Sequence, residues 1–203
     1  MWVIISLIIG YLMGCISPAA IISKIKNVNL REVGTKNLGA TNTTLVLGKR
    51  AGAMVLIVDV MKSILSAKLV KVLFPQAVCA GMIACIGCIL GHCFPVFLGF
   101  QGGKGLAAFA GMVLEYNPWF AIPIVISGVI LMMVFNTGVV APICGVILFP
   151  ILVTCFHGSV GEIIYAVVSS CIITWTHRDN LKMAYFKNEV VSAKVFIDKI
   201  LSE

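Results

Sequence analysis

The sequence predicts an all-α polytopic membrane protein with seven transmembrane helices, some of them short or broken around a polar site on the cytoplasmic side. Three observations carry that expectation. Of the 203 residues, 60% are hydrophobic and only 11% are charged, and the mean hydropathy of +1.08 is that of a chain solvated by lipid. Polar breaks divide the chain into apolar runs near the roughly 20 residues that cross a bilayer as helix. Lys and Arg gather in two places, the first long polar break and the C-terminal tail.

The first run, Trp2 to Ile22, ends at "SKIKNVNLREVGTKNLGATNTTLVLGKR", the most polar interior stretch. It has no basic start and no small-x-small cleavage pattern, so it reads as a retained helix rather than a signal peptide. The second run, Ala51 to about Phe74, is closed by Pro75. The third covers about Ala77 to Leu90 and reaches past Pro95 only as a kinked or broken helix. A fourth helix, Leu106 to Leu114, stops at "EYNP" and is only about half a bilayer long by helical rise. Pro118 to Phe135, Val139 to Phe156 and Val160 to Thr176 complete the seven, parted by turns such as "NTG" and "HGS".

Orientation follows from the basic residues near span ends. The first loop holds Lys24, Lys26, Arg31, Lys36, Lys49 and Arg50, and the tail holds Arg178, Lys182, Lys187, Lys194 and Lys199. Both are expected in the cytoplasm, and an odd number of crossings then puts the N-terminus outside. Lys68 and Lys71 fall near the outer end of the second helix, where long side chains snorkel to the headgroups. The chain reads as one membrane domain, residues 1–203, whose stretch 177–203 is a basic amphipathic tail suited to an anionic leaflet. The net charge of +7 needs no nucleic acid to explain it, and no recognition motif accompanies it.

The eight cysteines lie almost wholly in apolar stretches, where thiols behave as small hydrophobes. Cys85, Cys88, His92 and Cys93 have a spacing that also admits a metal or redox reading. No second CxxC completes a zinc pattern, and no metal is expected.

Polar residues inside a membrane are costly, so they mark pairing or function. Asp59 and Lys62 lie three residues apart in the second span, and either hide each other's charge or brace a polar site. "VGTKNLGATNTT", residues 33–44, combines glycines such as Gly39 with the donors Thr35, Lys36, Asn37, Thr41 and Asn42, the makings of an anion-binding nest. "GFQGGKG" opens a helix with Gly102, Gly103 and Lys104, where free N–H groups and a full charge suit a phosphate. It is not a Walker loop, because Leu98 stands at the first glycine's place and Gly105 at that of the Ser or Thr that holds magnesium, so ATP is not expected. "THRDN" sets His177 and Asn180 one turn apart at the foot of the last span. His177 there is a general base, a phosphate donor or an interfacial histidine. Three such elements suggest an enzyme that handles anionic substrates beside lipid.

With these residues in hand, the chain resembles the bacterial acyl-phosphate:glycerol-3-phosphate acyltransferases, the PlsY family, along nearly its whole length. The match is carried by "LREVGTKNLGATN", "LVLGKRAG" with "DVMK", "GHCFPVFLGFQGGKG", "NP" after the fourth helix, and "HRDN". The resemblance implies a seven-helix enzyme of the bacterial inner membrane. Such an enzyme moves an acyl group from acyl phosphate to the 1-hydroxyl of glycerol 3-phosphate, making lysophosphatidic acid without cofactor, metal, CoA or acyl carrier protein. It implies a phosphate-binding role for Thr35, catalytic roles for Lys104 and His177, and substrate contact by Asn37, Gly39, Thr41, Asn42, Gly102, Gly103 and Asn180. Asp59, Lys62 and His92 stand behind these as supporting residues. No Ser–His–acid arrangement is visible, and acyl phosphate is already activated, so the hydroxyl is expected to attack directly. His177 and the substrate's own phosphate are both candidates for its proton.

The chain departs from the family pattern in places. Leu45 stands where an arginine is usual, Asn136 replaces a basic residue, and Val139 and Pro142 stand where serines would. Asn29 replaces an aspartate, Lys36 a glycine and Gln101 a lysine. These changes leave an alternative expectation, a catalytically impaired or acceptor-shifted paralogue that binds phospholipid precursors or regulates an active enzyme. The sequence does not specify an oligomeric state.

Overall fold

The computed structural model describes residues 1–135 and 140–185, among which there is helix and turn but no strand. Asn136, Val139 and the tail beyond residue 185 lie outside these residues. The helices are α1 (Trp2–Gly14), α2 (Pro18–Ile25), α3 (Ala40–Leu47), α4 (Lys49–Leu73), α5 (Ala80–Cys93), α6 (Leu106–Tyr116), α7 (Ala121–Phe135), α8 (Val140–Cys155) and α9 (Val160–Tyr185). Among the described residues four stretches are long and apolar enough to cross a membrane: Trp2–Ile25, Ala80–Leu98, Pro118–Phe135 and Val160–Lys182. Leu106–Tyr116 and Pro142–Cys155 are shorter apolar helices. α4 has 25 residues and carries Asp59 and Lys62 in its middle.

Several boundaries differ from those expected, for local reasons. The first run is two helices, because Ser17 is extended and caps α2 by accepting from the Ala20 N–H at 3.3 Å, with Pro18 at the first helical position. α3 arises inside what the sequence suggests is loop; Gly39 caps it with extended backbone and Gly48, at φ +88°, turns the chain into α4. The third run breaks at Phe94 and Pro95 and continues as a single 3₁₀ turn, Val96–Leu98. α9 does not stop at Thr176 but runs through "HRDN" to Tyr185, since no glycine or proline follows Gly161 to end it.

The chain from Met1 to Tyr116 forms one compact unit, and the chain from Asn117 forms a second. In the first, α5 is the core element, buried at every position except Leu90. It meets α1 through glycines spaced four apart on both helices. A Cβ on Gly10 or Gly14 would lie 1.9 Å from the Ala84 carbonyl oxygen or 2.2 Å from that of Cys88. One on Gly87 or Gly91 would lie 2.3 Å from the Leu7 oxygen or 2.1 Å from that of Tyr11. Lipid is as apolar as leucine, so helices in it associate by this kind of close backbone contact rather than by burial of apolar area. Gly111 of α6 meets the Val60 carbonyl of α4 in the same way. Ile4, Ile8 and Leu12 of α1 and Ile57, Met61 and Leu65 of α4 stay exposed, as a lipid-facing surface requires.

In the second unit α8 packs on both α7 and α9. Phe120 and Phe156 stack tilted with ring centroids 5.0 Å apart.

Candidate active site

The first polar loop is held from within by one amide. Asn42, fully buried on α3, shares the two hydrogens of Nδ2 among the carbonyls of Leu30 (2.8 Å), Asn37 (3.0 Å) and Val33 (3.2 Å). Its Oδ1 accepts the Thr35 N–H at 2.7 Å. The chain closes this tightly because Gly34 sits at φ +61°, where a Cβ would fall 2.2 Å from Asn42 Oδ1. The outcome is a rim: Thr35, Lys36 and Thr41 are exposed, and Asn37 and Gly39 are half-buried. Asn42 itself spends both ends of its amide on the loop backbone.

The second loop is laid back on the end of α5. Gly102 N–H donates to the Cys93 carbonyl and Gly103 N–H to that of His92, each at 3.0 Å. Neither glycine has room for a side chain; a Cβ on Gly102 would meet the His92 oxygen at 2.0 Å. Gly105, at φ +85°, then turns the chain, and its carbonyl accepts the Phe109 N–H at 2.8 Å to begin α6. Lys104 is thereby delivered, half-buried, to a helix N-terminus, where N–H groups and the helix dipole favour an anion.

The two loops meet. A Cβ on Gly103 would lie 2.6 Å from the Leu38 carbonyl oxygen. Arg31 fastens them further, its Nη2 donating to the carbonyls of Leu98 (3.0 Å) and Gln101. In the sequence Arg31 counts among the basic residues that orient the chain and within the motif "LREVGTKNLGATN", with no contact to the second loop foreseen. The available signal was chemical: an arginine in a lysine-rich segment suggests that a forked donor is needed.

Beneath them lie Asp59, Lys62 and His92, all buried. Lys62 Nζ is 2.7 Å from Asp59 Oδ1 and donates to the Ile16 and Gly14 carbonyls at 2.8 and 3.0 Å, satisfying groups that the end of α1 leaves open. His92 Nδ1 lies 3.0 Å from Lys62 Nζ and 3.2 Å from Asp59 Oδ1. The cysteines around His92 do not join it as ligands: Cys85 points its thiol at the Ser63 carbonyl, 3.6 Å away. Among the described residues no group of three or more His, Cys, Asp or Glu could hold a metal ion.

In the second unit His177 is buried on α9, with Nδ1 2.9 Å from the Ile173 carbonyl and 3.3 Å from Thr176 Oγ1. A carbonyl only accepts, so Nδ1 carries a hydrogen. Asn180 follows one turn later, half-buried. Between them Arg178 turns away, stacked over Trp175 at 4.4 Å.

A sequence model of the glycerol-3-phosphate acyltransferase family matches residues 4–186. The chain belongs to that family. Relatives bearing the name glycerol-3-phosphate acyltransferase include one from Thermoanaerobacter sp. (strain X514), 34% identical over 183 residues, which cover 90% of this chain and 91% of the relative. Another, from Lactiplantibacillus plantarum, is 34% identical over 89% of this chain and 88% of its own. Two crystal structures of PlsY, an integral membrane glycerol 3-phosphate acyltransferase, share the fold. The glycerol 3-phosphate form is 30% identical with a TM-score of 0.85, covering 92% of this chain and 94% of that one. The lysophosphatidic acid form is 26% identical with a TM-score of 0.86, over 99% of each.

The acyltransferase family thus accounts for the all-helical membrane fold and for a chain that is an enzyme rather than a channel or a scaffold. Leu45 lies half-buried on α3, and Pro142 is buried near the start of α8.

Proposed function

We propose that this chain transfers an acyl group from acyl phosphate to the 1-hydroxyl of glycerol 3-phosphate, yielding lysophosphatidic acid for phospholipid synthesis. The observation that carries this is the meeting of Gly103 with Leu38, which brings the nest of residues 33–44 against the glycine strip that ends in Lys104. Two anion-suited loops held edge to edge, one of them feeding a helix N-terminus, fit a phosphate whose neighbouring carbonyl is to be attacked. Thr35, Asn37, Gly39 and Thr41 line that cradle with Gly102 and Gly103, while Asn42 shapes it.

In the reaction the glycerol oxygen forms an ester bond to the acyl carbon, the bond from that carbon to the phosphate oxygen breaks, and inorganic phosphate leaves. Phosphate is a good leaving group, so no enzyme nucleophile is required. Lys104 offsets the charge that builds on carbonyl and phosphate oxygens. His177 takes the hydroxyl proton at Nε2, since Nδ1 donates to the Ile173 carbonyl. Asn180 holds the acceptor's phosphate.

The chain works as a multi-pass protein of the bacterial inner membrane, crossing it seven times with the N-terminus outside and the C-terminus cytoplasmic. The concentration of basic residues in the segment 24–50 supports that orientation.

The test uses purified protein in lipid with palmitoyl phosphate and labelled glycerol 3-phosphate. Wild type makes lysophosphatidic acid, and Lys104→Ala lowers kcat by roughly a hundred- to a thousandfold, the usual cost of losing one transition-state donor. Absence of product from wild type, with product from Leu45→Arg, would reject glycerol 3-phosphate as this chain's acceptor.

A further inference from the structure

The proposed transfer does not use Asp59, Lys62 or His92, although they are only 1%, 3% and 6% exposed within an apolar helical unit. Burying such charges costs several kcal/mol unless every polar group is partnered. The hydrogens match all of these groups except Asp59 Oδ2, which is buried with no hydrogen-bond partner among the described residues. The Lys62 ammonium has three N–H groups and four neighbours: Asp59 Oδ1, the carbonyls of Gly14 and Ile16, and His92 Nδ1. Three of those can only accept. His92 Nδ1 is the one that can donate, so it carries its own hydrogen and gives it to Asp59 Oδ1 at 3.2 Å.

That assignment turns the ring's other edge to the second loop. A Cβ on Gly103 would lie 2.2 Å from His92 Nε2, so the bare glycine backbone rests on the imidazole. The same residue's carbonyl accepts the Gly103 N–H at 3.0 Å. His92 therefore meets Gly103 twice, by a backbone hydrogen bond and by close contact of its ring, and behind the ring lie Asp59 and Lys62 of α4, the lysine also holding the end of α1.

We propose that His92 is the positioning residue for Lys104: its ring, locked by Asp59 and Lys62, sets where the Gly102–Gly105 strip lies on α5 and hence where the ammonium stands. The effect on catalysis rests on the acyltransferase reading above; the effect on the loop does not.

Two variants of the full chain in lipid test this. His92→Asn places an amide nitrogen where Nδ1 was and keeps the bond to Asp59, but leaves the place of Nε2 empty. Asp59→Leu with Lys62→Met removes both charges together, an exchange that often preserves folding, and leaves the ring unanchored. Both are expected to speed hydrogen exchange at the Gly102 and Gly103 amides by about tenfold or more, the mark of local opening. Both lower kcat by roughly ten- to a hundredfold, as a misplacement near 1 Å does, with KM changed much less. Wild-type exchange and kcat in either folded variant would overturn the proposal, because the cluster would then only be hiding charge. Faster exchange in the variants of a wild-type protein that makes no lysophosphatidic acid would uphold the positioning role and remove the acyltransferase reading.

Discussion

The side-chain oxygen of Asn42 accepts the backbone N–H of Thr35 at 2.7 Å, and this bond joins a helix interior to the exposed rim of the first anion-suited loop. The same amide shares its two hydrogens among three carbonyls. Asn42→Asp would put a carboxylate against Leu30, Val33 and Asn37 oxygens with no hydrogen to offer them. The expected destabilisation is about 3 kcal/mol or more, since a buried charge without a partner is among the costliest changes. A thermal melt in detergent reads it. A melt equal to wild type would mean that the loop is held by something other than this amide.

Gly103 and Gly99 belong to the same loop and should respond oppositely to a methyl group. A Cβ on Gly103 would lie 2.2 Å from His92 Nε2 and 2.6 Å from the Leu38 oxygen. Gly99 sits at φ +65° with nothing within 4 Å of its Cβ. Gly103→Ala is expected to lower kcat by about a hundredfold through displacement of Lys104. Gly99→Ala costs about 1–2 kcal/mol of backbone strain and leaves kcat near wild type. Truncating His92 does not restore Gly103→Ala, because the Leu38 carbonyl is backbone and stays in place. Steady-state rates for the three proteins check the ordering.

Much of this architecture was legible in the sequence, and the reason differs by element. The apolar runs are read by composition, since lipid punishes every exposed polar group, and Pro95 marks the broken third run because it cannot extend a helix. The loop 33–44 and the strip 102–105 are read from glycine and donor chemistry. α3 was not legible, because Ala40–Leu47 mixes threonines with apolar residues and has low helix propensity; its start and stop come from Gly39 and Gly48 and its burial from tertiary contact. Nor was the tie between Arg31 and the carbonyls of Leu98 and Gln101, which joins positions some seventy residues apart and has no local pattern. Asp59, Lys62 and His92 could be picked out as costly polar residues, but which hydrogen goes where depends on the carbonyls of Gly14 and Ile16, and those are set by the end of α1.

The glycines at positions 10, 14, 87 and 91 carry a separate expectation about folding. Each approaches a carbonyl of the facing helix so closely that a methyl group forces α1 and α5 apart. Gly10→Ala, whose Cβ would lie 1.9 Å from the Ala84 oxygen, is expected to cost about 2–3 kcal/mol or more by overpacking. Activity should fall with the folded fraction, and kcat per folded molecule should hold. A variant that melts like wild type would show that the two helices can part without loss.

His177 offers the sharpest test of the chemistry, because its two nitrogens have different work. Nδ1 donates to the Ile173 carbonyl at 2.9 Å, and Nε2 is the nitrogen proposed to take the hydroxyl proton. Glutamine puts an amide nitrogen near the place of Nε2 but has no basic lone pair there. Asparagine keeps a donor near Nδ1 and reaches no further. If Nε2 is the base, His177→Gln and His177→Asn both lower kcat by roughly a hundred- to ten-thousandfold, the range for losing a general base. In that case KM for glycerol 3-phosphate stays within about threefold, since uniform binding is untouched. The opposite split, a raised KM with kcat largely kept and the glutamine variant the better of the two, would make the ring a phosphate ligand and pass the proton to the substrate's own phosphate. Kinetics at saturating acyl phosphate, with glycerol 3-phosphate varied, separates these outcomes in a single pair of variants.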